Sequence, residues 1–264
     1  MRNPDPKGIH WVSRSYPVRV LSRADLILAA TAARADGGTA RRGACKASLG
    51  CDPPSAHPCV PYGANRGLPS VIEHGLLPDN ECRRRQITGV EIGYDHIKQR
   101  RALRVVPCGV GGTLADYVPF YFAPRSPMLY AITLGLVSAE AARTEQIVYL
   151  VSSTQTLRGA GLTVIASNRH AELGYAEMTD HDRDLDDNDF IDWPLMTATY
   201  WNNTPDDPDR KERRQAECLV HPRVPWQAIE AVATKTEWAR AQVEFVLGTA
   251  GQPTPVVVRA EWYF

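Results

Sequence analysis

Asp116-Tyr117-Val118-Pro119-Phe120-Tyr121-Phe122-Ala123-Pro124-Arg125-Ser126-Pro127-Met128-Leu129 is the stretch on which the reading of this 264-residue chain turns. Its apolar residues continue almost to Leu136, but Pro119, Pro124, Arg125 and Pro127 interrupt them. A membrane helix needs ~20 uninterrupted apolar residues, so the stretch reads as a buried strand followed by a turn. Aromatic residues interleaved with prolines predict a rigid aromatic wall. Such a wall either fills the core or stacks nicotinamide, adenine or a nucleic-acid base.

Other strand candidates follow from short apolar runs bounded by turn residues: 146–151, 162–167, 216–220 and 228–234. At the C-terminus, 256–264 alternates, with Val256, Val258, Ala260, Trp262 and Phe264 on one face, and predicts a half-buried strand. Helices are expected over 69–74, stopped by Gly75, and over 237–247, closed by Gly248. Strands outnumber helices and do not alternate with them, which points to an α+β fold. Residues 1–60 differ. Apart from a short apolar run at 26–33 they lack periodicity, and nine Lys/Arg stand there against four Asp/Glu. They read as an atypical leader, disordered or misassigned, ahead of a domain over 61–264.

Formal net charge is zero, with 30 basic and 30 acidic residues, so any nucleic-acid partner must be held by local patches. Six cysteines without a Cys-x-x-Cys pair, and no signal segment, predict a reduced cytoplasmic protein. Cys45, Cys51, His57 and Cys59 match no common zinc spacing, and no metal is expected. The acidic run from Asp180 to Asp189 lacks the glycine and closing glutamate of an EF-hand, and reads as a solvated loop.

Two basic clusters, Lys98, Arg100, Arg101 and Arg104, then Arg210, Lys211, Arg213 and Arg214, either hold phosphates or form solvated faces. Glu217 follows the second cluster in Gln215-Ala216-Glu217-Cys218-Leu219-Val220. A carboxylate entering an apolar strand is costly unless paired or functional. It is either an ion-pair partner of Arg213 or Arg214, or a working group.

Several ordered blocks between about Gly67 and Phe264 resemble the DarT family, DNA ADP-ribosyltransferase toxins paired with a DarG macrodomain antitoxin. They are Leu68-Pro69 through Leu76, Ile92-Gly93 through Arg101, Gly111 through Leu129, His170-Ala171, Ile191-Asp192-Trp193 and Gln215-Ala216-Glu217. The resemblance implies an ADP-ribosyltransferase fold related to poly(ADP-ribose) polymerases, with two small packed β-sheets and flanking helices. It implies NAD+ as co-substrate and a base in single-stranded DNA, typically thymine, as acceptor. Nicotinamide would be released and replication blocked. Glu217 and Arg101 would be catalytic. Arg101, Tyr117, Met128, His170 and Gly67 would line the NAD+ site, and Lys98, Arg100, Arg125, Arg213 and Arg214 are the candidate DNA contacts. Near the start of the resemblance, Pro61 and Gly67 stand where the family pattern has His and Asn. Another acceptor (guanine, RNA or protein) and an inert nucleic-acid-binding remnant are the alternatives.

Overall fold

The computed structural model of the chain describes residues 17–21, 67–87, 95–136 and 147–264. The apolar run at 26–33, the cysteine and histidine group at 45–59 and the segments 61–66 and 92–94 lie outside these residues.

One sheet organises the described chain. Its strands are β1 (Pro17–Leu21), β2 (Val118–Tyr121), β3 (Tyr149–Ser153), β4 (Thr163–Ser167), β5 (Met178–Thr179), β6 (Glu217–His221), β7 (Ala231–Thr234) and β8 (Val256–Val258). They lie in the order β5-β4-β6-β2-β1-β3-β7-β8. All described pairs are antiparallel except β7 with β8. The groups β5-β4-β6-β2 and β3-β7-β8 are the two small sheets expected, and β1 pairs with both and joins them. Its register sets Arg19 beside Tyr121 on one side and Val151 on the other. The domain boundary drawn at residue 60 leaves this strand in the leader; its backbone pairing puts it in the middle of the sheet.

The helices are short and locally specified: α1 (Leu68–His74), α2 (Asp79–Arg84), α3 (Asp95–Leu103), α4 (Pro127–Thr133), α5 (Thr154–Gly159), α6 (Asp182–Leu185), α7 (Trp193–Thr197), α8 (Arg210–Arg213) and α9 (Glu237–Thr249). Ser126, Ser153, Asp192 and Thr236 each accept a backbone N–H of the following turn and so start α4, α5, α7 and α9. After α1 the chain turns at Gly75, whose φ of 77° and approach to the Val224 carbonyl exclude a side chain.

Alternation along the strands assigns the two faces. Val118 and Phe120 of β2, Cys218 and Val220 of β6, and Val164 and Ala166 of β4 enter the main core with Val71, Leu157, Leu195, Val243 and Leu247 from the helices. The opposite face carries two separate apolar clusters. At the β3–β7 end, Tyr149, Val151, Ala231 and Ala233 lie under Leu129, Ile132 and Tyr263. At the β4–β6 end, Ile165 and Leu219 lie under Val106, Leu114, Tyr117 and Ala171.

The C-terminus departs from the expected strand. Pairing stops at Val258, and Ala260–Trp262 forms a 3-10 turn. Interactions across the fold outweigh the alternating pattern. Tyr149 Oη donates to the Trp262 carbonyl at 2.9 Å, and Tyr263 Oη donates to the Ile147 and Ala233 carbonyls at 3.0 Å each.

Candidate active site

Glu217 is the first residue of β6, paired in register with Tyr121 of β2. Strand alternation turns both side chains to the face that carries the two apolar clusters. Glu217 is only 1% exposed. Arg101, near the end of α3 and 4% exposed, meets it: Nη1 donates to both carboxylate oxygens, at 3.1 and 3.0 Å. The Ala171 N–H donates to Oε1 at 3.0 Å. Ser167 Oγ accepts the Glu217 N–H at 3.1 Å and donates to the Arg169 carbonyl at 2.7 Å, tying the strand start to the next loop. His170 Nε2 lies 3.9 Å from Oε1, within ion-pair range if the ring is protonated.

Burial works to raise the Glu217 carboxyl, but Arg101, His170 and the Ala171 N–H outweigh it and hold the carboxyl below its ordinary value. Burial likewise opposes the Arg101 cation. Glu217, with Tyr121 and Asp79, more than restores it, so Arg101 titrates above its usual value. Both groups are therefore charged at neutral pH. A buried ion pair is a poor source of stability, and a perturbed pair on a sheet face between two apolar clusters marks a candidate site. Arg101 Nη2 is buried and has no hydrogen-bond partner among the described residues. The guanidinium thus keeps a donor for an anionic or carbonyl group, which suits a pyrophosphate-bearing co-substrate.

The pairing of Glu217 with Arg213 or Arg214 expected from sequence proximity does not form. Arg213 meets Asp192, Asp207 and Asp209 at 3.4, 2.6 and 3.2 Å. Arg214 is 2% exposed and donates to the carbonyls of Pro124 at 2.7 Å, Ala198 at 3.1 Å and Leu195. Arg214 is enclosed by backbone carbonyls, and Arg213 faces three aspartates. The other three candidate DNA contacts are differently placed. Arg100 is exposed and pairs with Glu172. Lys98 is half-buried on α3. The Arg125 guanidinium lies 4.6 Å from the Phe264 ring centroid.

Tyr117 lies deep in the fold. It is 1% exposed in the β4–β6 cluster, its hydroxyl donates to the Gly111 carbonyl at 2.7 Å, and its ring lies 5.4 Å from His221. The aromatic residue in register with Glu217 is Tyr121, which lies four residues and roughly 13 Å further along the strand. The sequence contained that signal: Tyr117 and Tyr121 share one strand face, and only the pairing with β6 selects between them. Met128, half-buried in the first turn of α4, packs against the β3–β7 cluster. Gly67 is buried at the start of α1, where its carbonyl accepts the Val71 N–H at 3.1 Å.

Burial pushes the Cys82 thiol up to about 11 and Cys218 higher still, so neither supplies a thiolate at neutral pH.

Known proteins share the fold and much of the sequence of this chain. The family described as ssDNA thymidine ADP-ribosyltransferase, DarT, matches residues 64–264. A DNA ADP-ribosyl transferase of Thermus sp. (strain 2.9) is 40% identical over 201 residues, covering 75% of this chain and 91% of that protein. The structure of Thermus sp. 2.9 DarT in complex with ADP-ribosylated ssDNA is similar with a TM-score of 0.66 at 36% identity, over 75% of this chain and 91% of that one. Thermus sp. 2.9 DarT in complex with NAD+ gives 0.62 at 32% identity, over 75% and 92%. With its arginine–glutamate pair set on the sheet face between two apolar clusters, the chain belongs to the DarT family of single-stranded-DNA thymidine ADP-ribosyltransferases.

Proposed function

We propose that the chain transfers ADP-ribose from NAD+ to thymine in single-stranded DNA, and that Glu217 and Arg101 are its catalytic pair. The observation that carries this reading is the buried, doubly hydrogen-bonded contact of Arg101 with Glu217. Bound NAD+ supplies an electrophilic ribose carbon as nicotinamide leaves. An ionised Glu217 beside that carbon stabilises positive charge and accepts a ribose hydroxyl. The open donor of Arg101 binds a pyrophosphate oxygen or stabilises the thymine anion once N3 has given its proton to Glu217. Tyr121, His170 and Met128 line the same side of the sheet. Lys98, Arg100 and Arg125 are the basic residues assigned to the strand. A single-stranded acceptor avoids the cost of extracting a base from a duplex.

The domain that does this comprises residues 61–264, with β1 completing its sheet. A cytoplasmic toxin held in check by a DarG-like macrodomain partner is the proposed setting. No helix among the described residues is long and apolar enough to cross a membrane.

Purified chain incubated with labelled NAD+ and thymine-containing oligonucleotides should label the DNA. Glu217→Ala and Arg101→Ala should abolish labelling, and a macrodomain hydrolase should remove it. Equal labelling of oligonucleotides without thymine would overturn the acceptor. Undiminished labelling by Glu217→Ala would overturn the assigned pair.

A further inference from the structure

Glu172 lies outside the machinery assigned above, yet its side chain is only 9% exposed. A carboxylate removed from water to that degree needs partners. It has two. Arg100 Nε is an ion-pair partner, and His170 Nδ1 lies 3.9 Å from Oε2. The other ring nitrogen of His170 lies 3.9 Å from Glu217 Oε1. The result is a chain of opposed groups, Arg101, Glu217, His170, Glu172 and Arg100. Its two ends are consecutive residues of α3, so the chain closes on itself.

We propose that Glu172 is a positioning residue for the transfer reaction, holding the His170 ring and the 168–177 loop against α3. This rests on the reading that Glu217 and His170 line the active site. The loop also supplies the Ala171 N–H to Glu217. It is further held by Arg104 Nη2, which donates to the Ala176 carbonyl at 3.3 Å, and by the His170 N–H, which donates to the Glu212 carbonyl at 3.1 Å. Those contacts fix the backbone; Glu172 is the carboxylate on the far side of the imidazole. At 3.9 Å Glu172 acts on the ring through its charge, from the side opposite Glu217. Glu172 touches no reacting atom; it acts through His170.

Glu172→Gln preserves size and removes the charge. Its transfer of label to a thymine oligonucleotide should fall between about tenfold and a hundredfold, as for other small misplacements of reacting groups. Glu172→Asp should recover part of the loss. In a His170→Ala background, adding Glu172→Gln should change the rate no further, because the path through the imidazole is already cut. The 15N signals of the His170 ring should shift in Glu172→Gln, because the charge facing Nδ1 is removed. Wild-type transfer and unchanged ring signals in Glu172→Gln would overturn the proposal, as would a full additional loss in the double variant. If Glu172→Gln melts early, transfer per folded molecule measured well below its melting temperature, together with the His170 ring signals, carries the same test. A Glu217→Ala variant that still labels DNA would instead sink the site reading, whatever Glu172 does.

Discussion

Lys98, Arg100, Arg101 and Arg104, on and just after α3, and Arg210, Lys211, Arg213 and Arg214, on and just after α8, are near equivalents in composition, yet their partners differ in kind. On α3, Arg101 faces a buried carboxylate on the sheet and Arg100 pairs with the loop beside it. On α8, Arg213 lies among three aspartates and Arg214 donates to carbonyls from two distant segments. The first cluster meets the carboxylates of Glu217 and Glu172; the second pins loops. A basic run shows only that charge is present. Its role follows from what the fold places in front of each guanidinium.

The contrast predicts opposite outcomes for equivalent substitutions. Glu217→Gln or Arg101→Ala should cut DNA labelling by at least about a hundredfold, since a group that stabilises developing charge is worth on that order. Arg101→Ala also leaves a buried, unpaired carboxylate and should lower unfolding free energy by about 3–5 kcal/mol, read from denaturant titration. If Arg101→Ala lost stability but kept its transfer rate, the two clusters would be alike.

Arg214→Ala should behave in that second way. It leaves buried carbonyls unsatisfied and should cost about 3 kcal/mol of stability. Transfer per folded molecule, measured well below the melting temperature, should stay at the wild-type level.

Acid titration separates the clusters more finely. The Glu217 carboxyl titrates below its ordinary value of 4.5 in the folded chain. The pair's contribution is therefore complete above the unfolded carboxylate's value and is lost as pH falls through the lower, folded one. Glu217→Gln should differ most from wild type in stability above about pH 4.5 and converge with it on acidification. Unfolding free energies measured across that range would show parallel curves if the pair did not form.

The smallest effects concern DNA. Arg125→Gln should weaken oligonucleotide binding and reduce the slope of log K against log salt by about one. Arg213→Gln, already neutralised by its aspartates, should leave the slope unchanged. A reduced slope for Arg213→Gln would return the second cluster to the DNA surface.

From the sequence alone, period and burial were readable. The apolar runs located β2, β4, β6 and α9 to within a few residues, and the α+β class followed from their order. The ordered blocks marked Glu217 and Arg101, and the cost of a carboxylate in an apolar strand explained why Glu217 needs a partner. Only the tertiary structure decided which partner. Arg101 lies 116 residues from Glu217, while the neighbouring Arg213 and Arg214 turn elsewhere. Tyr121 rather than Tyr117 lies in register with Glu217 because β2 pairs with β6 in one register. Pro17–Leu21 enters the sheet between β2 and β3, and the C-terminal alternation ends in a turn where Tyr263 enters the β3–β7 cluster. The reason is the same in each case. Local patterning records how often a side chain is turned from water, whereas cross-strand register and the packing of distant segments determine what it meets there.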